Sequence, residues 1–110
     1  MVDMTNSRIT LTDTIDLFRA ATHVTVTGFG RGRQALRHRL LDAQRQITRV
    51  EGAVVILPGE AAGTRTALDL AQASRVEIDR FGNLTLRLPG DIEMTVRLER
   101  LATAAHATAA

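Results

Sequence analysis

Hydrophobic residues recur at every second position through the last third of the chain. Three such runs lie between residues 75 and 99, and the sequences "RFGN" and "LPGD" separate them. A period of two places alternate side chains on opposite faces of a strand, and Gly, Asn and Pro suit the reversals between strands. The pattern predicts an antiparallel three-stranded meander with one apolar face and one solvated face of alternating charge. The apolar positions are Val76, Ile78, Leu84, Leu86, Leu88, Ile92, Met94, Val96 and Leu98.

Two further strands are indicated earlier in the chain. In "HVTVTGF", residues 23–29, valines alternate with threonines, as in a half-buried strand. "GAVVILPGE", residues 52–60, is a continuous apolar run closed by Pro58 and Gly59. Such a run is typical of a strand buried on both faces. We therefore expect it to be the central strand of a sheet.

Three segments carry helical patterns. Thr10 and Asp13 have the spacing of a capping box ahead of a first helix at about 12–21. A second amphipathic helix is predicted at about 32–48 and a weaker third at about 64–73. The apolar stripe of the second helix would comprise Leu36, Leu40, Ala43 and Ile47.

The order of these elements predicts an α+β fold. The middle strand, helix and strand should form a right-handed crossover between parallel strands, and the meander should extend that sheet antiparallel. We expect a two-layer sandwich with a mixed sheet and helices on one face. A chain of 110 residues fits a single domain, 1–110. Its ordered core should span about 10–101, between frayed termini at 1–8 and 102–110.

Composition excludes several classes of protein. The chain has no cysteine, which removes disulfides, thiolate nucleophiles and zinc–thiolate sites. No apolar run approaches the roughly 20 residues that a membrane helix needs, and the first ten residues lack the basic-then-apolar pattern of a signal peptide. We expect a cytoplasmic protein without a membrane span.

The positive charge is concentrated in one part of the chain. All 14 basic residues are arginine and the net charge is only +2. The pI of about 10.9 overstates this surplus, because no Lys, Tyr or Cys titrates between His and Arg. Residues 31–49 hold six arginines and one acid, Asp42. The predicted second helix and the glycine-rich turn before it are therefore strongly basic.

This basic segment is the candidate site. Guanidinium groups form bidentate contacts with phosphate, and the glycines of "TGFGRGR" would let the backbone approach a ligand closely. The hypothesis is a small non-enzymatic nucleic-acid-binding domain, with arginines on phosphates and an aromatic residue stacked on a base. The predicted contact residues are Phe29, Arg31, Arg33, Arg37, Arg39 and Arg45.

Other interpretations of the same segment remain open. The arginines could form the solvated face of an amphipathic helix, or they could meet an acidic partner protein or an anionic membrane surface. "GRGRQA", residues 30–35, formally matches the G-x-G-x-x-A turn of dinucleotide-binding proteins, in which a helix N-terminus holds the anion. Alternatively, the protein is an interaction or assembly module that oligomerises or docks through a sheet edge or the basic helix.

Nothing in the sequence indicates catalysis. The three histidines, His23, His38 and His106, fall on a strand start, the basic helix and the C-terminal tail, so no metal site is predicted. The acids of the meander alternate with arginines, unlike the paired carboxylates of an acid–base site. The absence of lysine excludes a phosphate-binding loop of the Gly-Lys-Ser/Thr type. We expect no enzyme activity and no cofactor.

Overall fold

A computed structural model of the protein describes residues 6–32, 34–37 and 40–101. Within these ranges the chain forms ten strands, one α-helix and one turn of 3-10 helix at Leu70–Gln72. The α-helix and strands are β1 (Asn6–Arg8), α1 (Leu11–Ala20), β2 (His23–Arg31), β3 (Gln34–Ala35), β4 (Gln44–Gln46), β5 (Arg49–Glu51), β6 (Val54–Pro58), β7 (Arg65–Asp69), β8 (Arg75–Asp79), β9 (Leu84–Leu88) and β10 (Ile92–Glu99).

The strands form two antiparallel sheets. The large sheet has the order β1-β8-β9-β10-β2-β3, and β4 also pairs with β2. The small sheet has the order β5-β6-β7. The predicted meander is confirmed as β8, β9 and β10, with Leu86 in register with both Val76 and Met94. Both outer edges of the meander are occupied, since β1 pairs with β8 and β2 pairs with β10.

The small sheet and α1 contribute to a core on one face of the large sheet. Phe18 of α1 and Val55 and Leu57 of β6 belong to the same buried cluster as Val24 and Val96 of the large sheet. Because strand side chains alternate between faces, the opposite, outer face of the large sheet carries the charged residues of the meander. Burial of the apolar cluster is the main force that holds the two sheets together.

The first helix is confirmed, together with its cap. The Thr10 Oγ1 accepts a hydrogen bond from the backbone N–H of Asp13 at 3.0 Å, which satisfies one of the free donors of the first turn. Thr14 and Phe18, one turn apart, are fully buried. The helix therefore contacts the core along a narrow stripe, and its remaining surface lies in solvent.

The predicted α+β class is wrong, because the structure is mostly antiparallel sheet with a single α-helix among the described residues. The predicted helices on one face, the mixed sheet and the parallel crossover do not form. The segment predicted as a helix at 32–48 contains Gly32 at φ 59° and Asp42 at φ 61°, values outside the right-handed helical region. Within this segment, β4 pairs with His23–Thr25 of β2. Its backbone groups therefore form hydrogen bonds to β2 and not to one another within a helix.

The predicted helix at 64–73 is also wrong. Its residues form β7 and the 3-10 turn, which begins after Asp69. The Asp69 Oδ1 accepts a hydrogen bond from the backbone N–H of Ala71 at 3.0 Å and caps that turn. Alternate residues of β7 pair with the buried residues of β6, Thr66 with Leu57 and Leu68 with Val55. The predicted apolar strand is thus central, but in the small antiparallel sheet.

Part of the N-terminal segment is a strand. Asn6–Arg8, inside the segment predicted as frayed, form β1 and pair with Glu77–Asp79. Residues 1–5 and 102–110 lie outside the described residues. In the described part of the chain, no helix is long and apolar enough to cross a membrane.

Candidate functional site

Where the structure describes it, the arginine-rich segment extends the large sheet through β3. We call residues 31–39 the basic arm. β2 ends at Arg31, the chain turns at Gly32, and β3 returns antiparallel with Gly30 opposite Ala35. The backbone N–H of Leu36 donates to the Phe29 carbonyl at 2.8 Å. The described part of the arm is therefore anchored to β2 by backbone hydrogen bonds, and no helix follows the glycines there.

A second turn supports the tip of the arm. The backbone N–H of Gly32 donates to the carbonyl oxygen of Asp91 at 3.0 Å. Asp91 lies in the turn between β9 and β10 and, like Gly32, has a positive φ, of 60°. Few side chains tolerate this left-handed conformation, and the backbone hydrogen bond between Gly32 and Asp91 joins the two turns. The end of β2 is thus fixed from two sides.

The structure places the predicted phosphate contacts unevenly. Arg31 and Arg37 lie on the basic arm and both are exposed. Among the described residues neither forms an ion pair. Arg33 and Arg39 lie outside the described residues. Of the predicted phosphate contacts, the structure therefore places Arg31 and Arg37 at exposed positions of the basic arm.

Arg45 does not belong to that element. It lies on β4 directly opposite Val24 of β2, and Val24 is buried in the core. The Arg45 side chain is half-buried, and its Nη1 donates to the Gly59 carbonyl at 3.5 Å. This register sends Arg45 toward the small sheet, so it serves packing between elements.

Phe29 has a different environment from the one expected for a stacking residue. It lies opposite Met94, and its half-buried ring packs against the core cluster. The exposed aromatic residue of the described chain is Phe81, whose side chain is 75% accessible. The Arg80 guanidinium carbon lies 4.8 Å from the centre of the Phe81 ring, a cation–π contact. The sequence could have indicated this exposure, because Phe81 lies in the predicted reversal "RFGN". A tight turn between two strands has no core in which to bury a phenylalanine.

The turn that carries Phe81 is held by one carboxylate. Asp79 accepts hydrogen bonds from the backbone N–H groups of Asn83 at 2.9 Å and Phe81 at 2.8 Å. Hydrogen bonds to the ionised form, above all the one from the Asn83 backbone, hold the pKa of Asp79 below its ordinary value. The predicted reversal at "RFGN" is confirmed as a hairpin turn between β8 and β9.

The glycines of β2 leave a shallow trough on the outer face of the large sheet. Gly28 lies opposite Thr95 and Gly30 opposite Glu93. The open volume is about 270 Å³. It has no helix N-terminus, which the dinucleotide interpretation of "GRGRQA" requires, and its charged side chain is the carboxylate of Glu93. That interpretation is therefore wrong for the described residues.

The arginines of the outer face are neutralised. Arg87 Nη2 lies 2.7 Å from Glu93 Oε2, and Arg75 and Arg97 form corresponding ion pairs with Glu77 at 2.5 Å and Glu99 at 3.9 Å. Arg87–Glu93 joins β9 to β10, whereas the other two pairs join residues two apart on one strand, so the alternating charges of the meander are paired both between and within strands. Exposed pairs of this kind stabilise a protein by only about 0.2 to 1 kcal/mol each.

Neither the side chains nor the comparisons with known proteins identify an activity. Among the described residues, no group of three or more His, Asp or Glu side chains is arranged to hold a metal ion. No family model, curated protein or solved structure matches the chain.

Proposed function

We propose that the basic arm binds the phosphate groups of nucleic acid. One observation carries the proposal. Residues 31–39 contain four arginines and no acid, and the two of these arginines within the described residues, Arg31 and Arg37, are exposed. A local surplus of positive charge on an accessible element attracts polyanions and raises their rate of association.

The contrast with the outer face supports this choice of surface. Arg75, Arg87 and Arg97 each lie beside a glutamate, so the charge of each is offset before a ligand arrives. A phosphate contact there would have to displace a carboxylate. On the basic arm no such displacement is needed at Arg31 or Arg37, because no carboxylate pairs with either among the described residues.

The chemistry assigned to the arm is sequence-independent. Guanidinium groups bind phosphate oxygens through two parallel hydrogen bonds, and contacts to phosphate position a protein on nucleic acid without reading its bases. The proposed contacts are Arg31, Arg33, Arg37 and Arg39. Arg45 and Phe29 are left out, because both pack toward the interior.

The proposal is one of binding only. It involves no cofactor and no reaction. It places the protein in the cytoplasm, where nucleic acid is accessible to it. Because phosphate contacts do not distinguish sequences, DNA and RNA of mixed sequence are both suitable probes.

Salt dependence tests the proposal directly. Fluorescence anisotropy with a labelled mixed-sequence duplex would be measured between about 25 and 200 mM salt. If four phosphates are neutralised, log K falls against log[salt] with a slope of about −3 to −4. An affinity indifferent to salt, or no binding at the lowest salt, overturns the proposal. Tighter binding to poly-glutamate than to the duplex would overturn it in favour of an acidic partner protein.

A further inference from the structure

The free edge of β7 differs from the other sheet edges of the described chain. β7 has five residues, and within residues 6–32, 34–37 and 40–101 its one partner strand is β6. The other edge strands, β1, β3, β4 and β5, have three residues or fewer. Proteins commonly protect a long edge with proline, a bulge or lysine, and the sequence "RTALD" contains neither proline nor lysine. Its pairing with β6 also runs without a register shift.

The hydrogen-bond pattern shows which residues of β7 face this edge. The N–H of Gly59 donates to the Thr64 carbonyl and the N–H of Leu70 donates to the Ala53 carbonyl, each at 2.8 Å. Since hydrogen-bonded pairs alternate along an antiparallel ladder, Thr66 and Leu68 bond to β6. The backbone groups of the alternate residues therefore point away from β6. These residues are Arg65, Ala67 and Asp69.

We infer that β7 pairs antiparallel with β7 of a second copy of this chain, with the two-fold axis at Ala67. In this register Ala67 lies opposite Ala67 of the second copy, and Arg65 lies opposite Asp69. All three residues that face the edge then fall in hydrogen-bonded pairs, each of which exchanges two hydrogen bonds. The inference is independent of the proposed nucleic-acid binding, since it uses no residue of the basic arm.

Charge complementarity fixes the register. Arg65 and Asp69 lie at opposite ends of the strand, so the two-fold axis forms two pairs, each with Arg65 of one copy opposite Asp69 of the other. Opposite charges in cross-strand pairs are favourable and like charges are unfavourable. A shift by two residues would place Arg65 opposite Ala67 and lose both pairs. The strand is thus self-complementary in one antiparallel register.

The side chains of β7 are suited to this contact. Ala67 and Arg65 are exposed, and a small residue at the axis lets the two backbones approach. The Asp69 Oδ1 is held by the N–H of Ala71 at 3.0 Å, which keeps the carboxylate near the strand. On the core side, Leu68 is half-buried and lines a cavity of about 70 Å³ with Met94. A second strand would cover Leu68 further.

Paired variants at the axis test the inference without nucleic acid. Ala67→Glu and Ala67→Arg each place two like charges opposite one another. The pure wild-type protein should dimerise in sedimentation velocity at about 10 to 500 μM, a range suited to a small interface. Each single variant should be monomeric, and an equimolar mixture should recover the dimer, because Glu then opposes Arg. Recovery in the mixture also shows that both variants are folded.

A charge variant provides an independent measurement. Arg65→Glu places Glu opposite Asp69 at both ends and should weaken dimerisation by about tenfold or more. Arg19→Glu, at an exposed position of α1, makes the same charge change away from β7 and should leave dimerisation unchanged. A monomeric wild-type protein overturns the inference. So does a dimer that survives Ala67→Glu and Ala67→Arg, or a mixture of the two that stays monomeric.

Discussion

The carbonyl oxygen of Gln34 lies so close to Gly30, where the basic arm turns back on β2, that residue 30 has no room for a side chain. A Cβ on residue 30 would lie 2.6 Å from the carbonyl oxygen of Gln34. That oxygen belongs to the backbone of β3, which is hydrogen-bonded to β2, so it cannot rotate away as a side chain would. The glycine is therefore required for the close approach of the arm.

Gly30→Ala should consequently destabilise the protein by about 1 to 3 kcal/mol, the usual cost of overpacking. Gly28→Ala is the matched control on the same face, because its Cβ would lie 3.5 Å from the Thr95 side chain, an ordinary contact. Urea unfolding monitored by circular dichroism would compare the two midpoints. Equal stability of the two variants would contradict the placement of β3.

Asp79 should contribute a pH-dependent part of the stability. Its pKa is lowered in the folded protein from the ordinary value of 3.8, first by the hydrogen bond from the Asn83 backbone. The unfolded chain therefore binds a proton at higher pH than the folded protein. The contribution is complete only well above pH 3.8 and is lost progressively as the pH falls through 3.8 toward the lower pKa of the folded protein.

Two measurements check this expectation. The urea midpoint of unfolding would be measured between about pH 2 and 7. As the pH falls, this midpoint should decrease less in the Asp79→Asn variant than in the wild-type protein, because the variant lacks the titrating carboxyl. An NMR titration of the Asp79 carboxyl carbon should give a midpoint below 3.8. A midpoint at or above that value would contradict the hydrogen-bonded turn.

The elements that could be predicted from sequence are those whose pattern has one local explanation. The Thr10 and Asp13 spacing identifies the start of α1 because the cap is formed within one turn. The period-two runs of the meander are joined by tight turns, so neighbouring strands along the chain are also neighbours in the sheet.

The segments wrongly predicted as helices form strands, whose hydrogen-bond partners lie outside the segment itself. Arginine, alanine and glutamine favour helices intrinsically, and the spacing of Leu36 and Leu40 suits one. Yet β4 lies about 20 residues from the strand it pairs with, and its pairing supplies hydrogen bonds to the free side of β2. In the other incorrect helix, the alternation of Thr66, Leu68 and Leu70 with polar or small residues was a strand signal. Tertiary pairing overrides weak helical propensity in both cases.

In the candidate site, too, some features follow from the local sequence and others depend on how the strands pair. The concentration of arginine at 31–39 is a property of the sequence and holds in any fold. Whether a given residue points outward depends on register, which the sequence does not specify once the element type is wrong. Arg45 faces inward because it lies opposite Val24, and Phe29 packs inward because it lies opposite Met94.

The loss of stability on replacing each of the three phenylalanines by alanine should follow the burial of its side chain. Phe18 is fully buried, Phe29 is half-buried and Phe81 is 75% exposed. Phe18→Ala should cost about 3 to 5 kcal/mol of stability, Phe29→Ala should cost less, and Phe81→Ala should change it by no more than about 0.5 kcal/mol. Chemical unfolding would give the order. If Phe29→Ala left stability unchanged and weakened oligonucleotide binding, Phe29 would be a contact residue after all.

Arg31 and Arg37 are the arginines of the basic arm that the structure describes, and both are exposed. Arg31→Gln combined with Arg37→Gln removes two proposed phosphate contacts while keeping polar side chains of similar length. Binding to a labelled duplex should weaken, and the slope of log K against log[salt] should become shallower by about two units, since each lost contact releases roughly 0.9 fewer counterions. The same change is not expected from a general loss of positive charge.

The matched control is Arg19→Gln combined with Arg100→Gln, which removes the same charge from exposed positions outside the arm. This variant should keep the wild-type slope and lose only a small part of its affinity at low salt, where long-range attraction is weakly screened. If both double variants shifted the slope equally, the binding would reflect net charge and not the arm. The arm would then be an extension of the sheet edge whose arginines are solvated, and phosphate contacts would have to be assigned elsewhere on the surface.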